Sequence, residues 1–462
     1  MIAVAKVALP DFGRARTQPK IPLDTYKARL AATIDRMGRD GLDYLVVYGD
    51  REHCANMLYL VGMAPRFEEA LLLLDRKGHG LLLLGNECLA AAPNAGLGVD
   101  VELYQDFSLM GQPRGNSRPL RDILSSVGIG RGAKVGCVGW KYYDAHLTGE
   151  TRYANDLPAY IVDLLRDLTG DRSAVTNAGG IFVNPADGLR IVNMEPEQIA
   201  AFEYAAVQTS MAVLAVLRHM KEGSREDKLE KYLDGAGLPR SCHPLIAFGE
   251  SLKRGLPSPS ANRAALGDMF GIGFGLIGSL TCRAGAVAQG PQDLPEACRD
   301  FYPRFAANYF DVVSTWYEQL QLGVTAGEVY STVDARRNDS IFKFALNPGH
   351  YIHLDEWTHS PFVPGSTVKI ESGMALQADI IPVSKGPFCF IDAEDGVVLA
   401  DEALRSAVAR KFPACWRRIQ ARREFMTTAL GIRLDESVLP LSNTPAWLPP
   451  YALSLGNVFV RE

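Results

Sequence analysis

The sequence contains no Cys-x-x-Cys pair. Its eight cysteines (54, 88, 137, 242, 282, 298, 389 and 415) are scattered through 462 residues, which argues against a disulfide framework and a structural zinc knot. No sign of charge dominates either. Forty-eight basic residues against 53 acidic ones leave a formal charge of -5, so nothing attracts a nucleic-acid backbone or anionic lipid in a general way. The opening MIAVAKVALPDFGRARTQPK has no apolar run behind a basic start, and no later stretch approaches the ~20 apolar residues of a membrane span. The expectation is a cytoplasmic protein without nucleic-acid or membrane partners. With 47% hydrophobic and 22% charged residues, the composition shows no bias toward disorder or fibre. A chain of this length should hold two or three domains at roughly 100 to 200 residues each.

Four segments are expected. Residues 1–25 read as an extension. Residues 26–185 read as an α/β domain: YKARLAATIDRMGRDG has apolar positions at helical spacing and stops at Gly41, LDYLVVYGD follows as a strand, EALLLLDRKGHGLLLLG reads as two buried strands around a turn, and KVGCVGW reads as another strand. Residues 190–435 form a second domain. It opens on a long helix in NMEPEQIAAFEYAAVQTSMAVLAVLRHMKEG, where Pro196 suits the first turn and Gly223 marks the end. A second long helical pattern at 297–322, ending in LGVTAGEVY, echoes the first and hints at internal duplication. From 402 to 430 a helix carries Arg417, Arg418, Arg422 and Arg423, read as a solvated or interface face. Residues 436–462 read as an irregular tail.

Three segments resemble the creatinase/prolidase (pita-bread, M24-type aminopeptidase) superfamily: GDREHCANMLYLVGMAPRFEEALLLL at 49–74, LGDMFGIGFGLIGSLTCRAG at 266–285, and the series NPGHYIHLDEWTHSP, SGMALQADIIP and DAEDGVVLADEALR between 347 and 405. The resemblance covers about residues 25–430. It implies a creatinase-type N-terminal α/β domain followed by a pita-bread α+β domain, and a homodimer in which the loop at Pro65, Arg66 and Phe67 helps close the partner's pocket.

The resemblance also implies a dismantled metal site. The family's two strand aspartates fall on Gly271 and Cys282, and a further histidine position falls on Pro257. His350 is retained, the first glutamate becomes Asp379, and the second is kept as Glu394. A dinuclear hydrolase needs bridging carboxylates to offset cation repulsion, so the expectation is a chain with no metal and no cofactor. In that reading His350 carries protons with Asp379 and Glu394 as electrostatic partners, hydrolysing a C–N bond in a small, polar, nitrogen-rich substrate. Arg66, Phe67, His243, Cys282, Arg283, His353, Glu356 and His359 are the expected substrate-binding residues, with Arg283 able to lower the Cys282 thiol's pKa. Two alternatives stand beside it: a mononuclear-metal relative of the Xaa-Pro peptidases, with Cys282, His350, Asp379 and Glu394 as competent ligands, and a non-catalytic binding protein.

Overall fold

The computed structural model describes residues 1–94, 97–143, 149–255 and 257–462. They form two compact units, Ile21–Ile191 and a second made of Val192–Glu462 with Met1–Lys20. The first twenty residues thus belong with the C-terminal unit. The reason is β1 (Ile2–Lys6), whose partner is the last strand of the chain.

In the unit Ile21–Ile191, β2 (Tyr44–Gly49), β3 (Ala70–Asp75), β4 (Gly80–Leu84), β5 (Asp100–Leu103), β6 (Val135–Val138) and β7 (Val175–Asn177) make one sheet in the order β5-β4-β3-β2-β6-β7. The β2–β3–β4 pairs are antiparallel and the outer pairs parallel. Leu71 to Leu74 are buried on both faces of the sheet, as an unbroken apolar run requires. The turn after β3 works because Asp75 Oδ1 accepts from the Lys77 and His79 N–H groups while Gly78 takes φ +86°.

The second unit is organised around the helix Pro196–His219, with proline in its first turn and most side chains buried. By length and composition this one helix is apolar enough to cross a membrane, contrary to the expectation from sequence; here it is a core helix. Two antiparallel sheets carry the rest. One is β8 (Leu245–Phe248), β9 (Met269–Leu276), β10 (Ser279–Ala286) and β15 (Asp392–Glu394), in the order β15-β10-β9-β8. The other is β12 (His350–Tyr351), β13 (Ala375–Gln377), β16 (Gly396–Leu399) and β17 (Val438–Pro440), in the order β12-β13-β16-β17. A ribbon of β11 (Phe342–Phe344) with β14 (Pro382–Ser384) and the pair β1 with β18 (Asn457–Arg461) complete the strands described.

The duplication echo has a structural counterpart. The helices Pro196–His219 and Phe301–Gln319 are each followed by a positive-φ glycine whose N–H donates to a distant segment: Gly223 to Ala264 O and Gly323 to Ile370 O, both 2.8 Å. Isolated bridges Arg225–Arg263 and Thr325–Lys369 repeat the pattern.

Two expectations are corrected. The segment 436–462 is no irregular tail, since β17 joins a central sheet, β18 closes on β1, and residues 437–452 are buried. The arginine face at 417–423 is largely inward. Arg418 and Arg422 both grip the fully buried Glu203 at 2.6 to 2.8 Å, and Arg423 donates to Asp435 O at 2.8 Å; Arg417 alone of the four is exposed. An unpaired carboxylate at Glu203 would be costly in that interior, which is why two guanidinium groups converge there.

Candidate active site

Strand alternation decides which side chains meet. On β9, Phe270, Ile272, Phe274 and Leu276 alternate with Gly271, Gly273 and Gly275. Register places Gly273 opposite Cys282 and Cys282 opposite Glu394, so Cys282, Glu394 and Asp392 share one face with the glycines. The opposite face of β10 turns to the long helix, where Thr209 Oγ1 meets the Ser279 and Thr281 hydroxyls at 3.1 and 2.9 Å. The room left by the glycines is filled by neighbours: a Cβ at Gly271 would meet Leu252 Cδ1 at 2.8 Å, and one at Gly275 would meet Cys242 Sγ at 2.9 Å.

His350 enters from the second sheet. Gly349, at φ +98°, leaves room for Trp316 and the Gln377 carbonyl where a side chain would clash, and its N–H donates to Asp379 O at 2.7 Å, tying the histidine strand to the aspartate. The imidazole is fully buried. Its Nδ1 lies 3.0 Å from the Tyr351 carbonyl, an acceptor only, so Nδ1 carries a hydrogen and, in the neutral imidazole, Nε2 the lone pair. That lone pair faces Glu356 Oε1 at 3.4 Å, Glu394 Oε1 at 3.6 Å and Asp379 Oδ2 at 3.9 Å. Gln377 fixes Glu394 from the side by donating 2.9 Å to Oε1 and 2.8 Å to Leu280 O.

The electrostatics are one-sided. Burial holds the carboxyls of Asp379, Asp392 and Glu394 above the usual carboxylate range, and neighbouring acids add to the rise for Asp379 and Glu394. Glu356, whose side chain is about a quarter exposed, is pushed up to about 7 by burial, opposed by His350 and reinforced by Glu394. On this face Arg283 eases only Asp392. It lies on the other side of β10, donating to Asp395 Oδ2 at 2.6 Å, Trp447 O at 2.8 Å and Thr444 Oγ1 at 3.0 Å. The expected activation of Cys282 by Arg283 is therefore wrong: burial, then Glu394, Asp392 and Asp379, push that thiol well above its ordinary value.

The structure brings His350, Asp379, Glu394, Glu356 and Cys282 together. It places others elsewhere. His243 lies on the exposed side of its loop, and its neighbour Cys242 is the residue that feels Glu356 and Glu394. His353 is buried edge-on against Phe202, ring centroids 5.2 Å apart, and the His359 carbonyl accepts from Tyr351 N–H at 2.8 Å. Arg66 and Phe67 are exposed on a loop of the other unit. Next to them, Glu68 accepts from the Glu87 and Cys88 backbone, and Glu69 from Tyr48 OH at 2.6 Å. Sequence reasoning missed Gln377, Cys242 and Asp392. Only Asp392 had a legible signal, since its two-residue offset from Glu394 in a strand puts both on one face.

The donors fit a divalent cation. His350 Nε2 and Asp379 Oδ1 are buried without a hydrogen-bond partner, and one atom from each of His350, Asp379 and Glu394 lies within 4.8 Å of the others. The 3.6 and 3.9 Å separations from Nε2 are shorter than twice a metal–nitrogen or metal–oxygen bond of about 2.0 to 2.2 Å. An imidazole with two carboxylates is a donor set for zinc, manganese, iron or cobalt.

No protein-family profile matches the sequence, and no curated protein matches it. Solved structures do. The prolidase from Pyrococcus horikoshii OT3 superposes with a TM-score of 0.61 at 15% identity, over 81% of this chain and 95% of that one. Dipeptidase PepE from Mycobacterium ulcerans gives 0.63 at 18%, over 94% and 99%. The X-Pro aminopeptidase from Thermotoga maritima MSB8 gives 0.61 at 12%, over 92% and 98%. At such identities the likeness is one of fold, and it bears out the pita-bread architecture expected from the three sequence segments.

Proposed function

We propose that the chain is a hydrolase of the amide C–N bond in a small peptide-like substrate, assisted by a single divalent cation on His350, Asp379 and Glu394. The observation that carries this is the buried Nε2 atom of His350 amid three carboxylates with no hydrogen bond to any of them. A proton on Nε2 would draw one carboxylate to hydrogen-bond distance, about 2.8 Å. A shared cation explains the longer separations and balances the charge. Peptidases among the structures of like fold support the same reaction class. This reading departs from the metal-free expectation but keeps its ligand count: with glycine at 271 and cysteine at 282, the carboxylates for a hard dinuclear centre are absent.

When bound, the cation supplies Lewis acidity and lowers the pKa of a coordinated water. The chain's own residues do the rest. The Tyr351 carbonyl holds Nδ1–H and thereby keeps Nε2 available as a donor. Gln377 keeps Glu394 Oε1 aimed at the histidine. Glu356, 3.4 Å from His350 Nε2 and partly open to solvent, takes the proton from the attacking water and returns it to the leaving nitrogen.

We further propose a homodimer, supported by the half-exposed Phe67 beside Arg66, and a cytoplasmic setting, which suits eight free thiols. Elemental analysis and calorimetry on the dialysed full chain test the metal reading. One equivalent of zinc, manganese, cobalt or iron, abolished in His350→Ala together with hydrolysis of Xaa-Pro dipeptides, is the expected result. Two equivalents would refute the mononuclear site, and turnover that survives chelation would restore the metal-free mechanism.

A further inference from the structure

The loop between Tyr351 and His359 is folded back on the histidine it follows. Tyr351 N–H donates to His359 O at 2.8 Å and Thr358 N–H to Tyr351 O at 3.2 Å, so the segment is pinned as a narrow hairpin. In its returning limb, next to Thr358, Trp357 lays its indole on the His350 imidazole, centroids 4.0 Å apart and planes 20° from parallel. The indole is 36% exposed while the imidazole under it is fully buried. One side of the tryptophan thus meets solvent and the other covers the ring.

A second contact ties the same two elements. The Tyr351 carbonyl that receives His350 Nδ1–H also accepts from Thr358 N–H and from Thr358 Oγ1, each at 3.2 Å. The imidazole is therefore held at its edge by a carbonyl fastened to residue 358 and on its face by residue 357. Rotation about its side-chain bonds would break both contacts at once. Together they fix the direction in which Nε2 points.

We propose that Trp357 is a positioning residue that presents His350 Nε2 to the cation site, with the Thr358-bound Tyr351 carbonyl as its second anchor. This rests on the metal reading above. Groups that orient a ligating histidine from outside the ligand set typically change metal affinity by about 10- to 100-fold. A stacked indole and a tautomer-fixing carbonyl are two such groups in one loop.

The test is cobalt binding to the chelator-stripped full chain, read by calorimetry and by quenching of indole emission. Trp357→Ala should weaken Co²⁺ binding about 10- to 100-fold, Trp357→Phe should retain it within about threefold because a phenyl ring still stacks, and Thr358→Val should weaken it about threefold through loss of one neutral hydrogen bond. Trp357→Phe should also remove most of the cobalt-induced quenching, since the other four tryptophans of the chain are not the ring on His350. Melting temperatures of the cation-free variants should stay within a few degrees of the wild type. Unchanged affinity in Trp357→Ala, or equal losses in the alanine and phenylalanine variants, would overturn the positioning role and leave the metal reading standing. If Trp357→Ala does not fold, Thr358→Val decides, and unchanged affinity there overturns the two-anchor arrangement. A wild-type chain that takes up no cobalt, zinc or manganese refutes the metal reading and the positioning role with it.

Discussion

Raising the pH of the cation-free protein should destabilise the unit that carries His350, and the effect can be sized from Glu356. Its carboxyl rises from an ordinary 4.5 to about 7, chiefly through burial. A carboxyl with a raised folded-state value binds its proton more tightly folded than unfolded. Its contribution is fully present below the unfolded value and is lost as pH climbs through about 7. Between 4.5 and about 7, at about 1.4 kcal/mol per pH unit, the loss comes to about 3.5 kcal/mol, on the order of 7 °C in melting temperature for a unit of this size. Asp379 and Glu394 are shifted the same way and add to the slope. A divalent cation reverses the trend, because it binds the ionised carboxylates of the folded state and stabilises by about 2.7 kcal/mol at a hundred times its Kd. The assay is thermal unfolding from pH 5 to pH 8, with chelator and with saturating Mn²⁺, for the wild type and Glu356→Gln. A melting temperature that stays level or rises with pH under chelation, or a slope that Glu356→Gln leaves unaltered, would refute the reasoning.

Glu356→Gln should also lower kcat about 100- to 10,000-fold on any hydrolysed dipeptide while leaving cation stoichiometry at one, measured by steady-state kinetics and elemental analysis. Cys282→Asp sets a carboxylate opposite Glu394 in register and should tighten Mn²⁺ binding about tenfold by calorimetry, since hard cations reward each added anionic oxygen; no change would mean the side chain at 282 does not reach the cation. Glu203→Ala should cost about 3 to 5 kcal/mol in chemical denaturation because it strands the buried Arg422, whereas Glu203→Leu with Arg422→Met should recover most of that loss.

Much of the fold was legible because it depends on periodicity and punctuation. Leu71 to Leu74 could only be a buried strand, the stop at Gly41 follows from its positive φ, and Pro196 opens the helix it should open. The expected tail failed for a physical reason. Residues 442–452 are buried without regular repeat, and their role is to satisfy polar groups such as Arg283, which binds Trp447 O and the Thr444 hydroxyl; such complementarity leaves no period in the sequence. The arginines at 418 and 422 misled for a related reason, since a charge is read as exposed until its buried partner, Glu203, more than two hundred residues away, is known.

The site divides along the same line. His350, Asp379 and Glu394 were picked out by the family resemblance, and the structure sets one polar atom of each within 4.8 Å of the others. Whether such a cluster works by proton or by cation turns on where each lone pair points, and spacing does not encode that. Here the orienting group is a backbone carbonyl. Tyr351 O takes Nδ1–H, leaves Nε2 bare among carboxylates, and is itself fastened to Thr358 beside the indole that covers the ring. Any residue at 351 presents that carbonyl, so no reading of side chains could have chosen between the two mechanisms. The path of the backbone from Gly349 to Ser360, with its left-handed glycine at one end and the Ser360 hydroxyl donating 2.6 Å to Gly349 O at the other, orients this histidine for the cation proposed above.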